Sequence, residues 1–174
     1  MQVSLIAAMD RERLIGSAAG RLPWHLPRDV AHFRAATAGK WLLLGRRTYE
    51  EMDGWFTDQT PLILSRDPDY RPMRPFHRVF PEMRSALEFA RESGWGEVVV
   101  AGGAQVFAAS LPMATRLILT RIDAAYEVAD GVFFPDFEGT GEWRPVHAEN
   151  WPADAENPVA MRLEYHERRD ICET

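Results

Sequence analysis

Five short apolar runs punctuate the chain: Val3–Ala8, Trp41–Leu44, Leu62–Leu64, Val98–Val100 and Leu117–Thr120. They do not alternate between apolar and polar positions, so each predicts a strand buried on both faces. Such strands belong to parallel sheets covered by helices on either side. Helical patterns lie between them. Pro27 suits a first helical turn, Val30, Phe33, Ala36 and Thr37 recur on one face, and Gly39 is a stop. A short helix is expected from Gly45-Arg46-Arg47-Thr48 to about Met52, another over about Glu82–Glu92 with Leu87 and Ala90 inward, and one from Gly103 to about Ala109. Arg78–Phe80 reads as a strand, and Asp67–Pro75, with three prolines, as a loop. Trp143–His147 and Val159–His166 carry strand signals without a helical connection, which predicts an antiparallel edge. The expected architecture is α/β: one domain over residues 1–174, a mostly parallel central sheet with an antiparallel C-terminal edge, and helices on both faces.

The 174 residues are 46% apolar, enough for a real core. A net charge of −6 argues against a protein that coats nucleic acid or anionic membranes, since a basic surface drives both kinds of binding. The single cysteine, Cys172, excludes a disulfide framework and is expected to be an inert thiol. No apolar run approaches a membrane span, and the N-terminal charges follow the apolar stretch instead of preceding it. A cytoplasmic protein is therefore expected.

The five histidines show no metal-pair spacing, and there is neither a Gly-x-Ser-x-Gly elbow nor a Cys–His arrangement. No metal site is expected. The positive signals sit at strand ends, where open parallel sheets bind ligands. Three strands end in Gly45-Arg46-Arg47-Thr48, Ser65-Arg66 and Gly102-Gly103. Glycine lets a diphosphate approach the backbone, and Arg and Ser add charge-assisted bonds to a phosphomonoester. Each feature has an ordinary alternative: the glycines as packing, the arginines as solvated charge. Their recurrence at three strand ends points to a phosphorylated dinucleotide. The stretch from Asp10 to Trp24 reads as a loop with Gly16 and Gly20, long enough to be functional. Asp29, in the first turn of the first helix, favours the helix dipole and serves there as a simple cap, or stands as a lone acid among Leu22, Trp24, Leu26, Val30 and Phe33. Desolvation there would disfavour its charge and suit it to proton transfer or an amidine-like edge.

Ile6-Ala7-Ala8, Ile15-Gly16, Leu22-Pro23-Trp24-His25-Leu26-Pro27-Arg28-Asp29, Leu44-Gly45-Arg46-Arg47-Thr48, Leu64-Ser65-Arg66, Ala101-Gly102-Gly103 and Thr120-Arg121-Ile122 together resemble dihydrofolate reductase, in order and spacing across nearly the whole chain. The resemblance implies NADPH-dependent reduction of a 7,8-dihydropterin, most simply dihydrofolate to tetrahydrofolate in one-carbon metabolism. It implies hydride transfer to carbon 6 and a proton at ring nitrogen 5. Asp29 would pair with the 2-amino group and ring nitrogen 3, supported by Thr120. Ile6, Ala7, Val30, Phe33 and Met52 would line the pterin side. Trp24 would order a water, and the loop from Met9 to Trp24 would be a lid with Leu22 at its tip against the nicotinamide. Ala8, Ile15 and Gly16 would also meet the cofactor. Gly45, Arg46, Arg47, Thr48, Ser65 and Arg66 would hold the adenosine half, Gly102, Gly103 and Ala104 would cradle the diphosphate, Ala101 would lie near the nicotinamide, and Gln105, Val106 and Phe107 would also meet the cofactor. A small-molecule substrate and a monomer are expected, with no nucleic-acid or membrane partner.

The chain departs from the family pattern at four positions. Gln59 falls at or near the place of an arginine that grips the α-carboxylate of the substrate's glutamate tail, and glutamine lacks that two-pronged cationic contact. Arg34 or Arg28 would then substitute, or the natural substrate lacks the carboxylate, as dihydromethanopterin or another tail-modified dihydropterin would. Ala101 replaces a branched aliphatic, Phe107 a frequent tyrosine, and Gln105 a frequent arginine. A non-catalytic NADPH-binding protein is the competing class, disfavoured by Asp29, Trp24 and Leu22. The reductase of a riboflavin precursor would give no reason for Pro-Trp-x-Leu-Pro-x-Asp.

Overall fold

The computed structural model describes residues 1–169, so Cys172 lies outside the described residues. The first half of the chain forms β1 (Gln2–Met9), β2 (Leu14–Ser17), α1 (Pro27–Thr37), β3 (Trp41–Gly45), α2 (Arg46–Glu51), β4 (Thr60–Leu64) and β5 (Arg78–Phe80). There follow α3 (Met83–Glu92), β6 (Glu97–Gly102), α4 (Ala104–Ser110), β7 (Arg116–Ile122), β8 (Gly131–Phe133), β9 (Trp143–Trp151) and β10 (Met161–Arg168). Eight strands make one sheet in the order β5-β4-β3-β6-β1-β7-β10-β9. The pairs from β5 through to β7 are parallel, and β10 runs antiparallel to both β7 and β9.

Uniformly apolar strands are covered on two faces at once. Val98 and Val100 point into a cluster with Leu5, Leu43, Leu62, Leu117 and Leu119, roofed by Ala86, Leu87 and Ala90 of α3 and by Phe107 of α4. Val99, between them, points the other way, joining Ile6, Leu42, Leu44, Ile63 and Ile118 beneath Phe33 and Ala36 of α1. Each such side chain contributes about 1.5–3 kcal/mol when taken fully out of water, so no slip in register is tolerated.

The expected mostly parallel sheet with an antiparallel edge and helices on both faces is present, with local corrections. The Asp10–Trp24 stretch, expected as loop, contains β2, which pairs antiparallel with β8 in a separate two-stranded ribbon. Its partner lies more than a hundred positions away, and Leu14 and Ile15 are too few to signal a strand locally. β9 continues to Trp151, four residues past the expected His147, because β10 pairs along its whole length. A short 3-10 turn at Glu138–Thr140 precedes β9. At the start of α1 no side chain of the helix caps the backbone. Asn157, from the β9–β10 connection, accepts the Arg28 backbone N–H at 2.9 Å instead. This frees Asp29 from capping.

Candidate active site

β3 leads outward to β4, whereas its neighbour β6 leads across β1 to β7. That divergence opens a crevice beyond the carboxyl ends of the strands, where α/β sheets bind ligands. Gly45 ends β3, and a Cβ there would meet Val106 Cγ2 at 3.4 Å and the Gly103 nitrogen at 4.0 Å. Gly102 has φ +127°, a conformation side chains rarely adopt, and the Gly102–Gly103 peptide is cis. Cβ atoms on these two residues would press on Thr48 at 3.2 and 3.1 Å. The glycines therefore pack against α2 and also leave bare backbone at two adjoining strand ends, the surface a diphosphate needs.

Beside it, at the end of β4, Ser65 Oγ accepts the Asp67 backbone N–H at 3.2 Å. Arg46 lies 3.3 Å from the Asp67 carboxylate and over the Tyr70 ring, 5.4 Å from its centroid. Arg47 and Arg66 are exposed and have no ion-pair partner within 4.0 Å among the described residues. Gln105 is exposed as well, but Phe107 is not: it is 3% exposed and packs on Phe134 with ring centroids 4.9 Å apart. Phe107, expected at the cofactor, is placed in the core, against the underside of Gly102, at 3.7 Å from its Cβ direction.

The residues expected at the pterin are apolar, and Ile6, Phe33 and Met52 share one packed cluster. Ile6 is buried; Ala7, Val30, Phe33 and Met52 are half-buried, with Phe33 edge-on to Trp55 at 5.8 Å. Asp29, beside Val30 in the first turn of α1, keeps a partial opening to solvent. Burial pushes its carboxyl pKa above the ordinary 3.8, and the Thr120 hydroxyl, donating to it, pulls the other way. Thr120 is itself buried and stands beside Ala8 on the neighbouring strand. The Trp24 indole N–H is buried without a protein partner, which leaves a donor for water or ligand. Leu22, by contrast, is 48% exposed, and its Cδ2 comes within 3.5 Å of the Cβ direction of Gly16. Gly20, with φ +75°, approaches α2 so closely that a Cβ would collide with Glu51 at 2.3 Å.

Two residues near the site had no distinctive signal in sequence. Asp10, fully buried, accepts the backbone N–H of Glu12 at 2.8 Å and of Leu14 at 2.9 Å through one oxygen, and that of Tyr126 at 2.9 Å through the other. It ties the base of the Met9–Trp24 segment to the β7–β8 connection, and Ala18 N–H reaches the Asp130 carbonyl at 2.9 Å further on. In sequence Asp10 was one charge among four. Asp67 stood in a proline-rich loop. Gln59 is 4% exposed and engaged internally, and Arg28 pairs with Asp154, leaving Arg34 as the exposed cation on α1 without an ion-pair partner among the described residues.

Comparison with known proteins agrees with this geometry. The profile of the family described as dihydrofolate reductase matches residues 2–168. Dihydrofolate reductase type 3 of Salmonella typhimurium is 36% identical over 163 residues, covering 94% of this chain and 96% of its own. The dihydrofolate reductase of Bacillus subtilis (strain 168) is 32% identical over 168 residues, 97% and 95% of the two chains. The structure of dihydrofolate reductase from Enterococcus faecalis complexed with NADP(H) and RAB-propyl superposes with a TM-score of 0.87 at 30% identity, covering 97% of each chain. By family profile, sequence identity over nearly the whole chain and superposition alike, this chain belongs to the dihydrofolate reductase family of NADPH-dependent oxidoreductases.

Proposed function

We propose that this chain reduces 7,8-dihydrofolate to 5,6,7,8-tetrahydrofolate, consuming NADPH and a proton and releasing NADP+, with Asp29 as the residue that grips the pterin and promotes its protonation. The observation that carries the reading is a desolvated carboxylate in the first turn of α1, with the buried Thr120 hydroxyl as its partner, in a sheet whose strands β3 and β6 end in bare glycine backbone. NADPH, when bound, supplies the hydride. The bare backbone at Gly45, Gly102 and Gly103 fits its diphosphate, and Arg46, Arg47, Ser65 and Arg66 fit a phosphate on its adenosine half.

Asp29 binds the amidine edge of the pterin, whose 2-amino group and ring nitrogen 3 donate to its two oxygens. A desolvated carboxylate makes that charge-assisted contact stronger than it would be in water and favours added positive charge on the heterocycle, so protonation at ring nitrogen 5 becomes easier. Thr120 fixes the orientation of the carboxyl group. Trp24 holds a water at its free indole N–H, close to the pterin edge. Leu22 and the segment anchored by Asp10 exclude bulk water from the reacting face. The protein works as a cytoplasmic monomer on a small-molecule substrate.

The buried Gln59 favours a second substrate reading, a dihydropterin whose tail ends without the glutamate carboxylate, such as dihydromethanopterin. Steady-state assays of NADPH consumption with dihydrofolate and dihydromethanopterin side by side test both. Turnover with dihydrofolate at the higher kcat/KM supports the first reading. A clear preference for dihydromethanopterin replaces it with the second, and no turnover with either removes both.

A further inference from the structure

We propose that Asp67 sets the balance between the 2′-phosphorylated dinucleotide and its unphosphorylated counterpart: it holds Arg46 in an ion pair that competes with a 2′-phosphate and leaves a ribose hydroxyl unopposed. The inference rests on the reading that Arg46, Arg47, Ser65 and Arg66 form the phosphate corner.

Asp67 directly follows Ser65-Arg66 at the end of β4, and its position is set by its own loop. Its Oδ1 accepts the Asp69 N–H at 3.0 Å, its backbone carbonyl accepts the Tyr70 N–H at 3.3 Å, and its backbone N–H donates to Ser65 Oγ. These bonds turn Oδ2 toward Arg46, at 3.3 Å, while the Tyr70 ring backs the guanidinium. With side-chain exposures of 39% for Arg46 and 47% for Asp67, the pair is accessible to a ligand and weak enough to open.

The consequence follows from charge. A phosphomonoester carries about −1.5 to −2 charges near neutral pH. At this corner it meets two exposed arginines, a third already paired, and a carboxylate one residue from Arg66. The carboxylate both competes for Arg46 and repels the phosphate. A ribose with a free 2′-hydroxyl meets the opposite situation, because its O–H donates to a carboxylate, the arrangement by which an acid near a strand end favours unphosphorylated dinucleotides in other sheets. Asp67 thus lowers a discrimination that the three arginines alone would make steeper.

Asp67→Asn isolates the charge, since the amide oxygen still accepts the Asp69 N–H and keeps the loop. Calorimetric titration of the protein with adenosine 2′,5′-bisphosphate and with adenosine 5′-monophosphate, which differ only by the 2′-phosphate, reads the preference without turnover. The asparagine variant is expected to raise the ratio of the two affinities about five-fold, the size of one exposed ion pair, and NADP+ against NAD+ is expected to follow. A ratio that stays or falls overturns the role of Asp67. Arg46→Ala separates the two levels. If that variant weakens the bisphosphate while Asp67→Asn leaves the ratio alone, only the present inference fails. If Arg46→Ala leaves bisphosphate binding intact, the phosphate corner itself is misplaced and both fail.

Discussion

Gln59 donates its side-chain amide to the Thr37 hydroxyl at 3.1 Å, inside the protein, and its carbonyl accepts the Thr57 N–H at 2.8 Å. Both ends of the amide are therefore engaged in joining the end of α1 to the start of β4. Turned inward and carrying no charge, it does not offer a substrate carboxylate the two-pronged cationic contact of an arginine. Gln59→Arg is expected to lower the KM for dihydrofolate about ten-fold, the scale of one charge-assisted hydrogen bond, with little change for a dihydropterin that has no glutamate tail. Equal KM values for wild type and variant would show that another cation, Arg34 foremost, already holds the tail.

Asp29→Asn removes the charge that grips the amidine edge. Turnover at neutral pH is expected to fall by about 10²–10⁴, the range for loss of a proton-transfer group, while the dissociation constant for NADPH stays near the wild-type value. Stopped-flow turnover alongside fluorescence titration of NADPH measures both, and undiminished turnover would take Asp29 out of the mechanism.

The raised pKa of Asp29 carries a stability prediction of definite sign. The folded state binds this proton more tightly than the unfolded chain, whose carboxyl titrates near 3.8. The stabilisation linked to the proton is present below that value and is lost as pH rises through the folded pKa. Asp29→Asn has no such proton to lose, so above the folded pKa it is expected to melt higher than wild type, by roughly 2–4 °C for each kcal/mol recovered in a domain of this size. The gap should close toward pH 3. Thermal melts across that range check it, and a variant that melts lower at pH 7 would contradict it.

Asp10→Ala leaves three backbone N–H groups without their acceptor. The expected cost is about 2–4 kcal/mol, since each buried unsatisfied group costs about 1–3 and the three share one site. Amide hydrogen exchange should quicken at Leu14–Ser17 and around Tyr126, before the central strands respond. Asp10→Asn keeps one acceptor oxygen and should recover part of the protection at Glu12 and Leu14. Uniform loss of protection across the sheet would mean that Asp10 supports the whole fold and not the segment it anchors.

Arg46→Ala combined with Arg66→Ala is expected to cut the preference for NADPH over NADH roughly ten-fold for each charge-assisted hydrogen bond removed. Steady-state kcat/KM values for the two nucleotides measure it, and an unchanged preference would place the 2′-phosphate elsewhere.

Residues that act through local pattern were legible in the chain itself. Val98 to Val100 announce a strand buried on both sides because three successive apolar side chains point alternately to opposite faces, and Gly102-Gly103 mark a strand end that needs bare backbone. Asp29 in its apolar surroundings and the arginines after β3 and β4 were visible in the same way, since each sits next in sequence to the element that positions it. Tertiary structure alone decided the rest. Asp10 meets Tyr126 across 116 positions, β2 finds β8, Asn157 caps α1 from 129 residues away, Gln59 closes on Thr37, and Phe107 turns into the core. The physical reason is the same for each. Helix and strand periodicity is a property of neighbouring side chains, whereas the partner of a buried polar group depends on which distant segment packing brings within hydrogen-bond reach.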